Sequence, residues 1–380
     1  MNIRGFGERD IELLSEVIDS GVLGSLEGPV TQRFEEEFAE TMGTKYAVAM
    51  NCAMSVLHTA VVCAEAGAGC EVICDPVFVF GPLAVLYNNA VPKFVDIDPD
   101  TLTMDPDKLE AAITERTKAV IVTHAWGLPA KMDRIVEIAH KYDLIVVEDI
   151  AHAILGSYNG KYTGALGDIG SFSFQGSKQM SLGDGGMATT SREDLWRKMD
   201  LNAGAPTFHA VADGQHYNYR MNELTAAVGI AQLERLPGFI AKLTANATHY
   251  SKAVEGCKWL PLQTDPGAVN TYHLWCANFR GENHGISMDD FKRALGEAGA
   301  AGIWIGYTGM AAYQQPLFTN KQSYAFHCAE NKGLMDYPDG LCPVAEKAIP
   351  RMVLAYTVQT EEQAEAEAER LHKAIDMLEG

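Results

Sequence analysis

Lys178 is the one lysine in the stretch GSFSFQGSKQMSLGDGG, residues 170–186, where it stands between an apolar run and a glycine-rich turn. Gly176, Ser177, Ser181, Gly183, Gly185 and Gly186 surround it, and residues this small let a backbone approach a bound group closely. An amine so placed is suited to a Schiff base with an aldehyde cofactor. A solvated surface charge in a polar loop is the competing reading, open on this stretch alone. In VVEDIAHA, residues 146–153, Asp149 ends an apolar run, which puts it at the carboxyl edge of a sheet. Open α/β sheets bind ligands at that edge, and a carboxylate there can keep a pyridinium nitrogen protonated. His152, three residues on, is within reach of the same cofactor; a helix cap and a structural histidine are the plain alternatives for the pair. In NCAMSVLH, residues 51–58, a strand runs through a small-residue turn into a helix start. Free N–H groups and the helix dipole favour an anion there, although any strand-to-helix turn shares the pattern.

These segments need a scaffold that lines them up. From about residue 44 to 190, apolar runs alternate with helical patterns. The expected strands are Ala47–Asn51, Glu71–Asp75, Lys93–Ile97, Ala119–Ala125, Leu144–Asp149, Ile169–Phe174 and Gly186–Thr190. VIVTH and LIVVE are apolar on both faces, as in parallel strands covered by helices on each side. Met132, Ile135, Val136 and Ala139 follow the spacing of a helix face. The pattern implies an α/β domain with a mostly parallel seven-stranded sheet and helices on both faces. A long helix follows Arg220, with Leu224, Ala227, Val228 and Ala231 on one stripe, and continues past Pro237 toward residue 250. The last 130 residues mix strand-like pieces, Tyr272–Phe279 and Ala300–Ile305, with helices, which implies a smaller C-terminal α+β domain. A helix bearing Ala364, Ala368, Leu371, Ile375 and Leu378 closes the chain, with Thr360 and Gln363 spaced as a capping box. The expected division is an N-terminal arm at 1–15, a large domain at 16–245 and a small one at 246–380.

Composition narrows the classes of function. Among 380 residues, 47% are apolar and 21% charged, ordinary globular values that exclude disordered, collagen-like and coiled-coil chains. Thirty basic against fifty acidic residues give a formal charge of −20, which argues against nucleic-acid or anionic-membrane partners. No window of 18 uninterrupted apolar residues marks a membrane span, and the start MNIRGFGERD is too polar for a signal peptide. Eight cysteines, none in a CxxC pair, read as reduced thiols in a cytoplasmic protein with no metal site. The AGAG of residues 66–69 precedes a strand and opens no helix, so it is no dinucleotide fingerprint.

Taken together, these stretches resemble the DegT/StrS-type sugar aminotransferases, which use pyridoxal 5′-phosphate on the aspartate-aminotransferase fold (fold type I). The likeness runs through GPVTQRFEEEFAETMGTKYAVAM (28–50), FVDIDPDTLTMDPDKLEAAITERTKAVIVTHAWGLPAKMD (94–133), VVEDIAHA, SFSFQGSK, HYNYRMNELTAAVGIAQLERL (216–236) and CPVAE (342–346). It implies that Lys178 forms the Schiff base and that Asp149 pairs with the pyridine nitrogen. His152 then packs near the ring oxygen, Ser173 binds the phosphate and Phe78 stacks on the ring. Ala53, Met54 and Ser55 form the phosphate turn. Asn218, in YNYRM, reaches the phosphate of a neighbouring subunit, which implies a homodimer with shared active sites. The implied chemistry is ping-pong transfer of an amino group from glutamate or glutamine to a nucleotide-linked keto-sugar or a keto-cyclitol.

The chain also departs from the family pattern. Ala53, Met54 and Ser55 replace a Gly-Thr-small turn, so Met54 removes a hydroxyl donor. Gly306, Tyr307 and Thr308 stand where His-Tyr is usual, and LAYTV, residues 354–358, replaces Leu-Pro-x-His-Pro. Tyr307 is the candidate substrate contact of that region. Two other readings compete. A sugar dehydratase of the same family typically carries histidine at the position of Lys178. A PLP-binding regulatory protein without turnover would have no need to keep Lys178, Asp149, Ser173 and Phe78 together.

Overall fold

The computed structural model describes residues 4–204 and 214–379. Seven strands build the main sheet: β1 (Tyr46–Met50), β2 (Glu71–Cys74), β3 (Val91–Phe94), β4 (Thr117–Thr123), β5 (Ile145–Asp149), β8 (Ile169–Ser173) and β9 (Gly186–Thr190). Three short strands, β6 (Ser157–Tyr158), β7 (Lys161–Tyr162) and β10 (Ala268–Val269), form a separate ribbon. The order of the main sheet is β1-β9-β8-β5-β4-β2-β3. Strands β3, β2, β4, β5 and β8 are parallel, and β9 runs antiparallel between β8 and β1. All seven strands expected from the alternating pattern are present.

Burial on both faces explains why those strands read as unbroken apolar runs. Val72 and Cys74 of β2, Ala119 and Ile121 of β4, and Val48 and Met50 of β1 point into one core with helices α3 (Ala53–Cys63), α4 (Phe80–Tyr87) and α7 (Glu193–Ala203). Ile73, Val120, Val122 and Val146 point the other way, against α5 (Pro106–Ala112) and α6 (Met132–Lys141). On that same side Ala47, Ala49, Phe172 and Met187 meet α1 (Glu8–Ser20), α2 (Val30–Met42) and the long α8 (Glu223–Ala253). The expected arm is therefore largely helical: α1 runs past residue 15 and packs against α8. Residues 1–3 of that arm lie outside the described residues. Helix α8 carries Pro237 in its interior and is continuous through it.

A three-stranded antiparallel sheet, β11 (Leu274–Asn278), β13 (Met352–Tyr356) and β12 (Ile303–Ile305), lies in the C-terminal third with β13 central. Helices α9 (Met288–Ala298) and α12 (Glu361–Glu379) share its core with the end of α8. The short α10 (Pro316–Thr319) and α11 (Pro343–Ala348) lie between β12 and β13. The capping box forms as expected: Gln363 N–H donates to Thr360 Oγ1 (3.3 Å) and Thr360 N–H to Gln363 Oε1 (3.1 Å). CPVAE acquires a structural reason. Asp96, at the end of FVD, accepts the amides of Val344 and Ala345 at 3.0 and 2.9 Å and so fastens α11 to the large sheet. Among the described residues no helix is long and apolar enough to cross a membrane.

Candidate active site

The carboxyl ends of the parallel strands open into a cavity of about 770 Å³. Thr123 from β4, Asp149 from β5 and Ser173 from β8 line it, and so does Lys178 from the turn after β8. Asp149 is buried, and its Oδ1 accepts the Ala151 amide at 3.1 Å. A buried pair just behind holds that strand end. Ala130 N–H donates to His124 Nδ1 (3.1 Å), which leaves the proton on Nε2 to donate to Glu148 Oε2 (2.9 Å). Glu148 Oε1 takes the amides of Leu166 and Gly167, and His124 N–H donates to the Asp149 carbonyl. These bonds fix the strand end that carries Asp149.

The lysine turn is fixed by its small neighbours. Lys178 N–H donates to the Gln175 carbonyl (2.8 Å), and Gln175 Oε1 accepts from both Ser177 N–H and Ser177 Oγ. Gln179, fully buried, donates to the Thr271 carbonyl and hydroxyl at 2.8 and 3.0 Å. Its own Oε1 accepts the Ile154 amide. One side chain therefore locks the lysine turn to the segment that carries His152 and to the segment that carries His273. Burial brings the Lys178 amine down to about 8, partly opposed by the Asp149 carboxylate. Burial raises Asp149 above the ordinary carboxylate range, with the Ala151 amide and the Lys178 charge pulling it back.

Aromatic side chains form one wall. Trp126, His152 and His273 stack in sequence, with centroids 5.4 and 4.4 Å apart and planes within 12° and 11°. Phe78 meets both His152 and Trp126 edge-on, and Tyr307 packs against Phe78 and Trp126. Asp75, at the end of β2, sets Phe78 by accepting the Val77 and Phe78 amides at 3.0 and 3.3 Å. Burial pushes that carboxyl up to about 6. Trp126 has φ +61, a strained backbone for a bulky residue, held by the neighbouring Gly127, where a Cβ would stand 2.4 Å from the Tyr272 nitrogen. Burial drives His152 and His273 well below the ordinary histidine range, so both rings are neutral.

The start of α3 closes the floor. Ala53 and Met54 line the cavity, and Val56 is the first residue whose amide turns back to Cys52. The amides of Ala53, Met54 and Ser55 therefore precede the helical ladder, where an anion is favoured. The Ser55 hydroxyl does not point there: it donates to Asn51 Oδ1 at 2.6 Å. Asn218 does not line the cavity of its own chain; it is exposed, with φ +61.

The structure thus brings together Lys178, Asp149, His152, Phe78, Ser173, Ala53, Met54 and Tyr307, turns the Ser55 hydroxyl away so that only its amide remains as a candidate, and leaves Asn218 outside its own chain's cavity. Thr123, Trp126 and His273 line the site, and Asp75 positions Phe78 from behind it, without having been singled out from sequence. Asp75 and Thr123 end apolar strands as Asp149 does, so the same rule could have found them. Trp126 and His273 sit in irregular segments with no such mark.

A phosphorylated aldehyde on a pyridine ring fits this donor set. Buried nitrogens of Trp126, His152 and His273 have no protein partner, the α3 amides suit its phosphate, Asp149 suits its ring nitrogen and Lys178 its aldehyde. The family model of DegT/DnrJ/EryC1/StrS aminotransferases matches residues 5–336. The chain is 33% identical over 308 residues to spore coat polysaccharide biosynthesis protein SpsC of Bacillus subtilis, covering 76% of this chain and 78% of that one. It is 41% identical over 238 residues to GDP-perosamine synthase of Caulobacter vibrioides, covering 62% and 63%. The X-ray structure of the aminotransferase from Psychrobacter cryohalolentis superposes with a TM-score of 0.84 at 30% identity, over 98% of this chain and 97% of that one.

Proposed function

Because the chain belongs to the DegT/DnrJ/EryC1/StrS aminotransferase family, we propose that it moves an amino group from glutamate or glutamine to a keto-sugar or keto-cyclitol. The family's cofactor is pyridoxal 5′-phosphate, which when bound acts as the electron sink for removal of a proton from the donor Cα. In this reading Lys178 holds the aldehyde carbon and is the base. With its amine at about 8, a substantial share is neutral near physiological pH, as a proton acceptor must be. Asp149 faces the ring nitrogen and keeps it protonated. Ser173 and the amides of Ala53, Met54 and Ser55 hold the phosphate, so the loss of a hydroxyl at Met54 leaves the backbone as the main donor. Phe78 supports the ring face, and His152 lies beside it. Asn218 serves the neighbouring chain of a homodimer; its exposure and its absence from its own cavity support that placement. The proposed division stays an arm at 1–15, a large domain at 16–245 and a small one at 246–380, with its two boundaries falling inside α1 and α8.

One observation carries the proposal. A lysine whose amine burial brings down to about 8 shares a cavity with a buried carboxylate at the sheet's carboxyl edge. The test is a donor-only reaction. The PLP-loaded protein, mixed with glutamate or glutamine, should release one equivalent of keto acid per site and change the absorbance of the bound cofactor. Release of no keto acid from either donor refutes it.

A further inference from the structure

The two C-terminal segments in which this chain departs from its family pattern meet in space. Gly306–Thr308 follows β12, and LAYTV begins in β13, its antiparallel partner. Trp304 lies opposite Leu354 in that ladder, and its ring packs on Tyr356 with centroids 4.6 Å and planes 42° apart. Both rings line the cavity together with Val358 and Phe80. Tyr356 is nevertheless 59% exposed and Phe80 44%. Large apolar rings grouped at the mouth of a cavity and open to water on the single chain are available to a ligand that enters it.

The charges around this mouth select among ligands. Among the described residues of one chain, Arg4 and Lys178 are the cations that line the cavity. Lys178 belongs to the reactive centre. The Arg4 guanidinium already donates to the Lys178 carbonyl at 3.1 and 2.7 Å. Asp149 and Asp184 oppose them, and the whole chain carries −20. The free amides of α3 go to the cofactor phosphate. Among the described residues of one chain, a diphosphate here would meet Arg4 alone outside the reactive centre, where such groups normally gather several charge-assisted hydrogen bonds. An uncharged hydroxylated ring has no such need: its C–H faces pack on aromatic rings while its hydroxyls stay in water.

We propose that Trp304 and Tyr356 form the acceptor platform and stack a neutral, unphosphorylated ring, a keto-cyclitol or free keto-sugar, in preference to a nucleoside-diphosphate-linked keto-sugar. The inference rests on the aminotransferase reading above. Its test compares 2-keto-myo-inositol with a GDP-linked 4-keto-sugar as acceptors for the PLP-loaded protein under saturating donor. The neutral ring should have the higher kcat/KM, by about tenfold or more. Trp304→Ala and Tyr356→Ala should each raise its KM about three- to tenfold, the loss expected of one aromatic contact, and Tyr356→Phe should restore it. A second measurement needs no turnover. Myo-inositol, titrated into the loaded protein and followed by tryptophan fluorescence, should bind about three- to tenfold more weakly to Tyr356→Ala. Preference for the GDP-linked acceptor, or alanine variants with unchanged KM and unchanged myo-inositol affinity, overturns the platform. Failure of keto-acid release in the wild type overturns the aminotransferase reading instead, and the fluorescence titration still decides the platform.

Discussion

Gly186 opens β9, paired on one side with Met50 and on the other with Ser173, and the start of α3 passes directly over it. A Cβ at this position would stand 2.5 Å from the Cys52 carbonyl carbon and 2.7 Å from the Ala53 nitrogen. Carbon atoms in good contact lie about 3.5–4.0 Å apart, so the methyl group of Gly186→Ala intrudes by about 1 Å. Neither side gives way cheaply. Gly186 is held by ladders on both flanks, and the atoms it meets are backbone. Relief comes from lifting the first turn of α3, whose amides are proposed to hold the cofactor phosphate. Overpacking of this kind costs about 1–3 kcal/mol, and each 1.4 kcal/mol is a factor of ten. Gly186→Ala should therefore raise the Kd for PLP by about tenfold or more, read by absorbance titration of the cofactor-free protein, with circular dichroism confirming the fold. Gly170→Ala separates local from general damage. Its Cβ would stand 2.4 Å from Thr189 Oγ1 and 2.7 Å from the Gly164 Cα, in the same pair of strands but away from α3. It should lose stability and keep its PLP affinity. A folded Gly186→Ala protein with wild-type affinity, or an equal loss in Gly170→Ala, refutes the reasoning.

Between about 8 and the ordinary 10.5, the folded chain has shed a proton from Lys178 that the unfolded chain still holds. The cofactor-free protein should gain stability as pH rises through that window, and Lys178→Met should lack the gain; melting curves at stepped pH check this. Asp149→Asn should retain the cofactor but slow the donor reaction about a hundredfold or more, which single-turnover rates measure; near-normal rates would show that the carboxylate is structural. Burial pushes Glu35 up to about 8 while its Oε1 accepts the Ala49 amide. Here the folded state keeps the proton, so stability falls as pH rises from about 4.5 to 8; Glu35→Gln should remove that fall, and an unchanged pH profile of melting would rule it out. Mixed Asn218→Ala and Lys178→Ala subunits should recover part of the activity if Asn218 serves the partner's site, because one of the two sites then carries neither defect. Confirmed subunit exchange without recovery would mean that Asn218 acts within its own chain or that the shared-site dimer is wrong.

The main sheet was legible because burial on both faces writes itself into composition. VIVTH and LIVVE have no polar side to display, so a run of apolar residues between turns sufficed to mark each strand. Weaker signals were lost for stated reasons. Strands of two residues, Ser157–Tyr158, Lys161–Tyr162 and Ala268–Val269, are too short to have a period. Met352–Tyr356 is the centre of its sheet, yet a five-residue apolar run lacks the length to tell a strand from a helix fragment. The strand at Ala300–Ile305 shortens to Ile303–Ile305 because Ala300 and Ala301 are taken up by the turn that follows the left-handed Gly299.

The site divides along the same line. Lys178, Asp149 and the α3 turn were legible because the topology of a parallel sheet sends strand ends and helix starts to one edge, so position along the chain implies position in space. Trp126, His273, Trp304 and Tyr356 reach the cavity by another route. Gln179 ties residue 271 to the lysine turn, Gly127 permits a backbone approach that a side chain would block, and β12 pairs with β13 across some fifty residues of intervening chain. None of these contacts has a local spacing, because each joins segments remote in sequence. The part of the cavity lined by Lys178, Asp149 and the α3 turn is therefore built from rules of the sheet. The aromatic part is built from individual long-range contacts, and two of its rings, Trp304 and Tyr356, stand in or beside the segments where this chain leaves the family pattern. If the proposed platform holds, selection among acceptors can change there, through Trp304 and Tyr356, without disturbing the strand end that carries Asp149 or the turn that carries Lys178.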